Sequence, residues 1–281
     1  MAEISAKDVA ALRKATGAGM MDCKKALEES GGDMEKAKDW LREHNLGQSG
    51  KRAGRSAEQG AIDVVVEGNV GALVELNCET DFVAKGGDFK ALVAALARHV
   101  AQHGEGDVAN QTFEGSTVAD AVTQLSGKLG EKIELGRVVR FESPDGLIDA
   151  YKHVQNERGV IGVLVELGGV EASNPQAQEV GHDIALHIAN SAPRYTRRSE
   201  VPPDEVDRER AVLEAQTRQE GKPEQAMAKI VDGKLNGFFK QVALEEQPFV
   251  KDQKVTIGSL VKNLGEDATI RRFARVKIGE E

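Results

Sequence analysis

Two hexapeptides far apart in the chain, Gly71-Ala72-Leu73-Val74-Glu75-Leu76 and Gly162-Val163-Leu164-Val165-Glu166-Leu167, spell nearly the same strand. Downstream of each lies a matching helical stretch, Ala97-Arg98-His99-Val100-Ala101 against Ala185-Leu186-His187-Ile188-Ala189. The repeated unit is a hairpin followed by a helix. A fold that accepts two copies must cover each strand pair with its own helix, which points to an α+β architecture with antiparallel sheets. In the first copy the strand runs 61–66 and 70–76 flank Glu67-Gly68-Asn69, a hairpin composition. In the second, 147–154 and 160–167 flank Asn156-Glu157-Arg158-Gly159, with a strand over 138–142 just before. Phe89, Leu92, Val93, Leu96 and Val100 share a helix face behind Asp88 as its cap; 118–133 and 175–191 read as further helices.

The copies differ where strand passes into helix. The first carries Cys78-Glu79-Thr80-Asp81-Phe82-Val83-Ala84-Lys85 and then Gly86-Gly87; the second carries Gly168-Gly169-Val170-Glu171-Ala172-Ser173. Most Phe residues are buried, and Phe82 has an ordinary reading as a core residue. The second copy does without a ring at the matching turn, however, so the scaffold does not require one. Phe82 is therefore expected to be exposed, an apolar probe beside a carboxylate, offered to another protein.

Outside the repeat, Ser5 and Asp8 carry a capping signature ahead of Val9 and Leu12, and Gly17-Ala18-Gly19 breaks that helix. A second short helix carries Met20, Met21, Lys24 and Leu27; after Gly31-Gly32, Asp33 caps a third with Trp40 and Leu41 on its apolar side. Such a small three-helix unit is marginal alone and reads as a docking module. Residues 46–60 are polar and rich in Gly and Ser, the signature of a linker with a solvated basic run, Lys51, Arg52 and Arg55. Beyond Pro202-Pro203, 204–220 and 223–246 read as two charged helices forming an antiparallel hairpin, with Val206, Val212, Leu213, Met227, Ile230, Leu235 and Phe238 inside. Gln247-Pro248-Phe249-Val250 returns to the body, Thr256 opens a short helix, and 268–278 is a closing strand. The expected division is 1–56 as docking unit with basic linker, 57–140 as first core subdomain, 141–200 with 246–281 as second, and 201–245 as inserted helical hairpin.

A chain of 281 residues exceeds what one core usually organises. Its net charge of −9 argues against direct nucleic-acid binding. With 4% aromatic residues it has few rings for base stacking or for an aromatic pocket. Cys23 and Cys78 make no metal spacing and suit a reducing compartment. With neither a signal sequence nor a membrane-length apolar run, a cytoplasmic location away from membranes is expected. No Walker, G-x-S-x-G or H-E-x-x-H motif is present. His99 and His103 stand four apart without a matched third ligand, and His153, His182 and His187 suggest no triad. Neither an enzyme nor a cofactor or metal site is expected.

Leu12-Arg13, the run Thr16-Gly17-Ala18-Gly19-Met20-Met21-Asp22-Cys23-Lys24-Lys25-Ala26-Leu27, the stretch from Cys78 to Lys85, and Gln247-Pro248-Phe249-Val250 together resemble bacterial translation elongation factor Ts over nearly the whole chain. The resemblance implies a guanine-nucleotide exchange factor acting on elongation factor Tu. It implies that the N-terminal unit is similar to ubiquitin-associated domains and docks on the partner's GTPase domain, with Arg13, Met20 and Met21 in contact. It assigns nucleotide exchange to Thr80, Asp81, Phe82, Val83 and Lys85, with Asp81 and Phe82 pushing between partner helices near the magnesium and phosphate-binding loop. His153 is implied to meet a second partner domain, and the hairpin to be a coiled-coil projection. Gly86-Gly87 departs from the family, whose members often have Asn after the Lys, and implies a looser turn. Longer members add a helical module after the last strand, a contact this chain is expected to lack. The alternative is a docking scaffold or chaperone-like module without effect on nucleotide; a metal-dependent enzyme through His99 and His103 is a third reading. Self-association through the hairpin is left open.

Overall fold

The computed structural model describes residues 4–52 and 54–280, with backbone alone over 45–51. Three helices open the chain: α1 (Ala6–Thr16), α2 (Met20–Glu29) and α3 (Met34–Arg52). Ser5 and Asp8 close a capping box at the start of α1, and Gly17, left-handed at φ 70°, ends it. The Asp33 carboxylate caps α3, accepting from the amides of Glu35 and Lys36 at 3.0 and 3.1 Å. Leu12, Cys23, Ala26, Leu27, Ala37 and Leu41 form their shared core, while Trp40 is half-buried and stacks on His44.

The linker reading is corrected in part, because α3 continues to Arg52. Gly47 and Gly50 each lower helix propensity by about 1 kcal/mol, but α3 packs along a later helix, and such tertiary contact overrides propensity. Nor is the basic run merely solvated. Arg52 Nη1 donates to the carbonyl and hydroxyl of Ser126, both at 3.2 Å, and Arg55 pairs with Glu79 at 3.1 Å; the Lys51 side chain lies outside the described residues.

The body follows as β1 (Gln59–Glu67), β2 (Val70–Cys78), α4 (Asp81–Ala84), α5 (Gly87–His103), a small ribbon β3 (Thr112–Phe113) and β4 (Ser116–Thr117), α6 (Val118–Leu129), β5 (Ile133–Glu142), β6 (Gly146–Gln155), β7 (Arg158–Gly168) and α7 (Pro175–Ser191). After α8 (Pro203–Gln219) and α9 (Met227–Val242) come α10 (Ile257–Lys262) and β8 (Thr269–Lys277). The sheets are antiparallel, ordered β1-β2-β5 and β6-β7-β8. The duplication thus extends to a third strand. In both copies that strand slips register beside the repeated glutamate. Buried Glu75 takes Arg137 Nε at 2.9 Å; buried Glu166 takes Arg272 Nε at 2.7 Å and Arg271 Nη1 at 3.2 Å. Burial alone would raise the Glu166 pKa, but hydrogen bonds from Arg272, Ser143 and Arg271 hold it below the ordinary value.

Four layers result: helix, sheet, sheet, helix. α5 covers the first sheet through Phe89, Val93 and Leu96, and α7 the second through Ile184 and Ile188. The other faces meet through Ile62, Leu73, Phe141, Ile148, Leu164 and Val276. Covered on both sides, β2 and β7 read as nearly unbroken apolar runs instead of alternating. At Gly162 a Cβ would stand 2.6 Å from Ile62 Cγ2, and at Gly71 2.7 Å from Ile148 Cγ2, so glycine sets the approach of the sheets.

Several local expectations are corrected. Gly130, left-handed at φ 77°, ends α6, so Ile133 begins a strand that pairs with β2. Asp88 does not cap α5; Gly86 occupies that position, and the Asp88 carboxylate pairs with Lys128 at 2.7 Å. In the α8–α9 pair the buried seam is Leu213, Met227, Val231, Leu235 and Phe239, with Ile230 and Phe238 half-buried and Val212 exposed.

Candidate functional site

The stretch after β2 forms a one-turn helix. Thr80 caps it, its hydroxyl oxygen accepting from the Val83 amide at 3.3 Å. The same hydroxyl donates to Glu131 Oε1 at 2.6 Å, and the Thr80 amide donates to Glu131 Oε2 at 3.0 Å. One residue earlier, Glu79 accepts from the Lys132 amide at 2.6 Å. Val83 and Ala84 are buried in the core under α5, so Val83 anchors the element from below. The Gly86 amide donates to the Val83 carbonyl at 2.9 Å and closes the turn that the glycine pair was expected to loosen.

This leaves Phe82 83% exposed, more than any other large hydrophobic side chain among the described residues. Asp81 is exposed beside it and paired with Lys85. The Lys85 hydrogen bond and charge hold the Asp81 carboxyl below the usual carboxylate range, so it is ionised at neutral pH. Cys78, beneath the element, is pushed up to about 12 by burial and then by the Glu131 charge, so it is a neutral thiol rather than a nucleophile.

A second surface lies on the N-terminal helices. Val9, Ala10, Arg13, Met20 and Met21 line a groove of about 690 Å³, with Met20 59% and Met21 71% exposed. An apolar floor edged by Arg13, Lys14 and Lys24 suits apolar side chains flanked by carboxylates. His153 is exposed on β6, its Nδ1 3.3 Å from the Tyr151 hydroxyl, beside Val154 at 55% exposure. The same hairpin is fastened to the first sheet by Arg158, which donates to the Gly60 carbonyl at 2.7 Å and to Gln59 Oε1 at 2.8 Å.

The repeated histidines serve the scaffold. His99 Nε2 meets Gln111 Oε1 and His187 Nε2 meets Gln247 Oε1, each at 2.8 Å, and His187 Nδ1 accepts from the Val250 amide at 3.2 Å. Burial lowers the pKa of both rings. Phe249 is buried beside His187, so Gln247-Pro248-Phe249-Val250 pins the chain to α7 on its return. His103 stacks on His99 and hydrogen-bonds its carbonyl. Among the described residues no group of three or more His, Cys, Asp or Glu side chains is arranged to hold a metal, and no helix is long and apolar enough to cross a membrane. Sequence reasoning missed Glu131, Gln111 and Arg158; each acts on a partner remote in the chain or lies in a loop without a motif.

Comparison with known proteins bears on the whole chain. The family profile described as "Elongation factor TS" matches residues 79–280, and one described as "Elongation factor Ts, mitochondrial, N-terminal" matches 2–49. The chain is 47% identical to the elongation factor Ts of Thermobifida fusca over 100% of both chains. It is 48% identical to that of Nocardioides sp. and 44% to that of Micrococcus luteus, over 99% of this chain and 100% of each relative. The chain belongs to the elongation factor Ts family. Membership makes it an elongation factor of protein synthesis in the nucleotide-exchange class, with elongation factor Tu as the partner the family implies.

Proposed function

We propose that this elongation factor Ts family member releases GDP from elongation factor Tu by inserting Phe82 beside the partner's magnesium and phosphate-binding loop, with Asp81 at its side. The observation that carries the reading is an aromatic ring 83% exposed on a helical turn fixed by hydrogen bonds and a buried Val83. A ring held out in water at a fixed base loses little conformational freedom on insertion. Burying it contributes about 1.5 to 3 kcal/mol, less than the several phosphate and magnesium contacts it disturbs. Wider docking must supply the remainder. The groove at Arg13, Met20 and Met21 is assigned to the partner's GTPase domain, and His153 with Val154 to a second partner domain. By linkage, the factor by which this protein weakens GDP binding equals the factor by which GDP weakens its own.

The test is stopped-flow release of a fluorescent GDP from elongation factor Tu. The intact protein accelerates release, and Phe82→Ala loses most of that acceleration while still binding the partner. No acceleration by the intact protein would leave a docking scaffold; undiminished exchange by Phe82→Ala would remove the insertion mechanism.

A further inference from the structure

Glu131 lies on none of the surfaces assigned to the partner, yet both its carboxylate oxygens are committed to the element that carries Phe82. Oε1 accepts the Thr80 hydroxyl at 2.6 Å and Oε2 the Thr80 amide at 3.0 Å. Thr80 is in turn the cap of α4, through its bond from the Val83 amide. An isolated helix of four residues does not hold itself together, because nucleation fixes more backbone than one turn of hydrogen bonds repays. The pose of Phe82 therefore depends on what grips the turn from outside. On the inward side that is Val83 in the core; on the solvent side it is Glu131.

Glu131 is itself placed from the other direction. The Ser126 hydroxyl donates to the Glu131 carbonyl at 2.5 Å, and Arg52, at the end of α3, donates to the Ser126 carbonyl and hydroxyl at 3.2 Å. A parallel path runs from Arg55 to Glu79, whose carboxylate also takes the Lys132 amide. Two short hydrogen-bonded paths thus lead from the close of the N-terminal helices to the base of α4, one through Ser126 of α6 and Glu131 of the loop after it, the other directly from Arg55 to Glu79, which that loop also holds through the Lys132 amide.

We propose that Glu131 is a positioning residue for exchange: it holds Thr80, and through Thr80 the pose of Phe82, and it ties that pose to the N-terminal docking helices through Ser126 and Arg52. The proposal rests on the exchange function proposed above. Gln at this position keeps an acceptor for the Thr80 amide and gains an N–H for its hydroxyl oxygen; Ala keeps neither.

GDP release from elongation factor Tu is measured as a function of the concentration of each variant. Glu131→Ala lowers the maximal release rate by roughly tenfold, as a misplaced reactive group does, while the half-saturating concentration stays within about twofold of wild type. Glu131→Gln restores most of the rate. Arg52→Ala gives a smaller loss that does not add to that of Glu131→Ala. In the free proteins, amide exchange over 80–85 is faster in Glu131→Ala and returns to the wild-type rate in Glu131→Gln.

A wild-type maximal rate in Glu131→Ala, or a loss confined to its half-saturating concentration, overturns the proposal. If Glu131→Ala does not fold, Arg52→Ala decides, since it leaves Glu131 in place; unaltered release and unaltered amide exchange in that variant overturn it equally. No acceleration by the wild-type protein is failure of the exchange reading, and amide exchange over 80–85 then still reports whether Glu131 holds the turn.

Discussion

Phe82 and His187 show two opposite uses of a ring. Phe82 is exposed, so its removal leaves no cavity, and Phe82→Ala is expected to change stability by no more than about 0.5 kcal/mol in thermal or urea unfolding. His187 is 1% exposed and engaged at both nitrogens. Because burial lowers its pKa, the folded state binds fewer protons than the unfolded state once pH falls through the ordinary imidazole value near 6.5. Its contribution is intact above that value and declines below it until the lowered folded value is reached; His99 adds in the same direction. The urea midpoint should therefore drop between about pH 7 and pH 5.5. In His187→Gln the drop shrinks, although stability at pH 7 is lower by about 1–3 kcal/mol where Gln247 or the Val250 amide loses its partner. An equal pH response in that variant would exclude the histidine as its source. The repeat made both histidines visible in the sequence. Their Gln partners were not visible, because one lies beyond a loop and the other beyond the whole inserted hairpin.

Among the elements, α1 and α2 are the clearest case of a surface legible from spacing. Capping signals and glycine stops delimit the helices, and the period that buries Leu12, Cys23 and Leu27 leaves Arg13, Met20 and Met21 outward. The double variant Met20→Ser, Met21→Ser is expected to raise the half-saturating concentration in GDP release by roughly ten- to hundredfold, from about 1–3 kcal/mol of lost apolar contact. The maximal rate should hold, and so should the melting temperature, since neither side chain supports the core. A fall in the maximal rate with unchanged half-saturation would remove the docking role. Elsewhere the element boundaries slipped where competing signals stood close together. Gly130 was a stop inside an apparently continuous helical period, Asp88 was an acidic residue in a first turn rather than a cap, and α3 kept its helix through two glycines by leaning on α6.

At the scale of the molecule, two sheets of repeated pattern pack face to face, and their glycines decide how closely. Gly162→Ala would bring its Cβ against Ile62, Leu73 and Val64 at 2.6, 2.8 and 3.0 Å, two of them stiff β-branched side chains. A loss of about 1–3 kcal/mol in urea unfolding is expected. Gly87→Ala, with open space around it, is the control and should be neutral or stabilising by about 0.4–1 kcal/mol. Equal effects at the two sites would show that the sheet interface yields easily. Across the interface Arg137 donates to the Lys277 carbonyl at 2.6 Å, while the Arg272 guanidinium lies 4.2 Å over the Phe141 ring. The repeat, the hairpins and the succession of the longer helices and strands could be read from the sequence by itself, because each follows from a short period, a turn residue or a comparison of the copies; for Phe82 that comparison supplied an expectation, and the fold decided its exposure. The tertiary structure alone decided that β5 and β8 complete the two sheets, that the repeated glutamates meet arginines, and that Glu131 grips Thr80. Those pairings join residues tens of positions apart, and a contact closed by folding leaves no period in the chain from which it could be read.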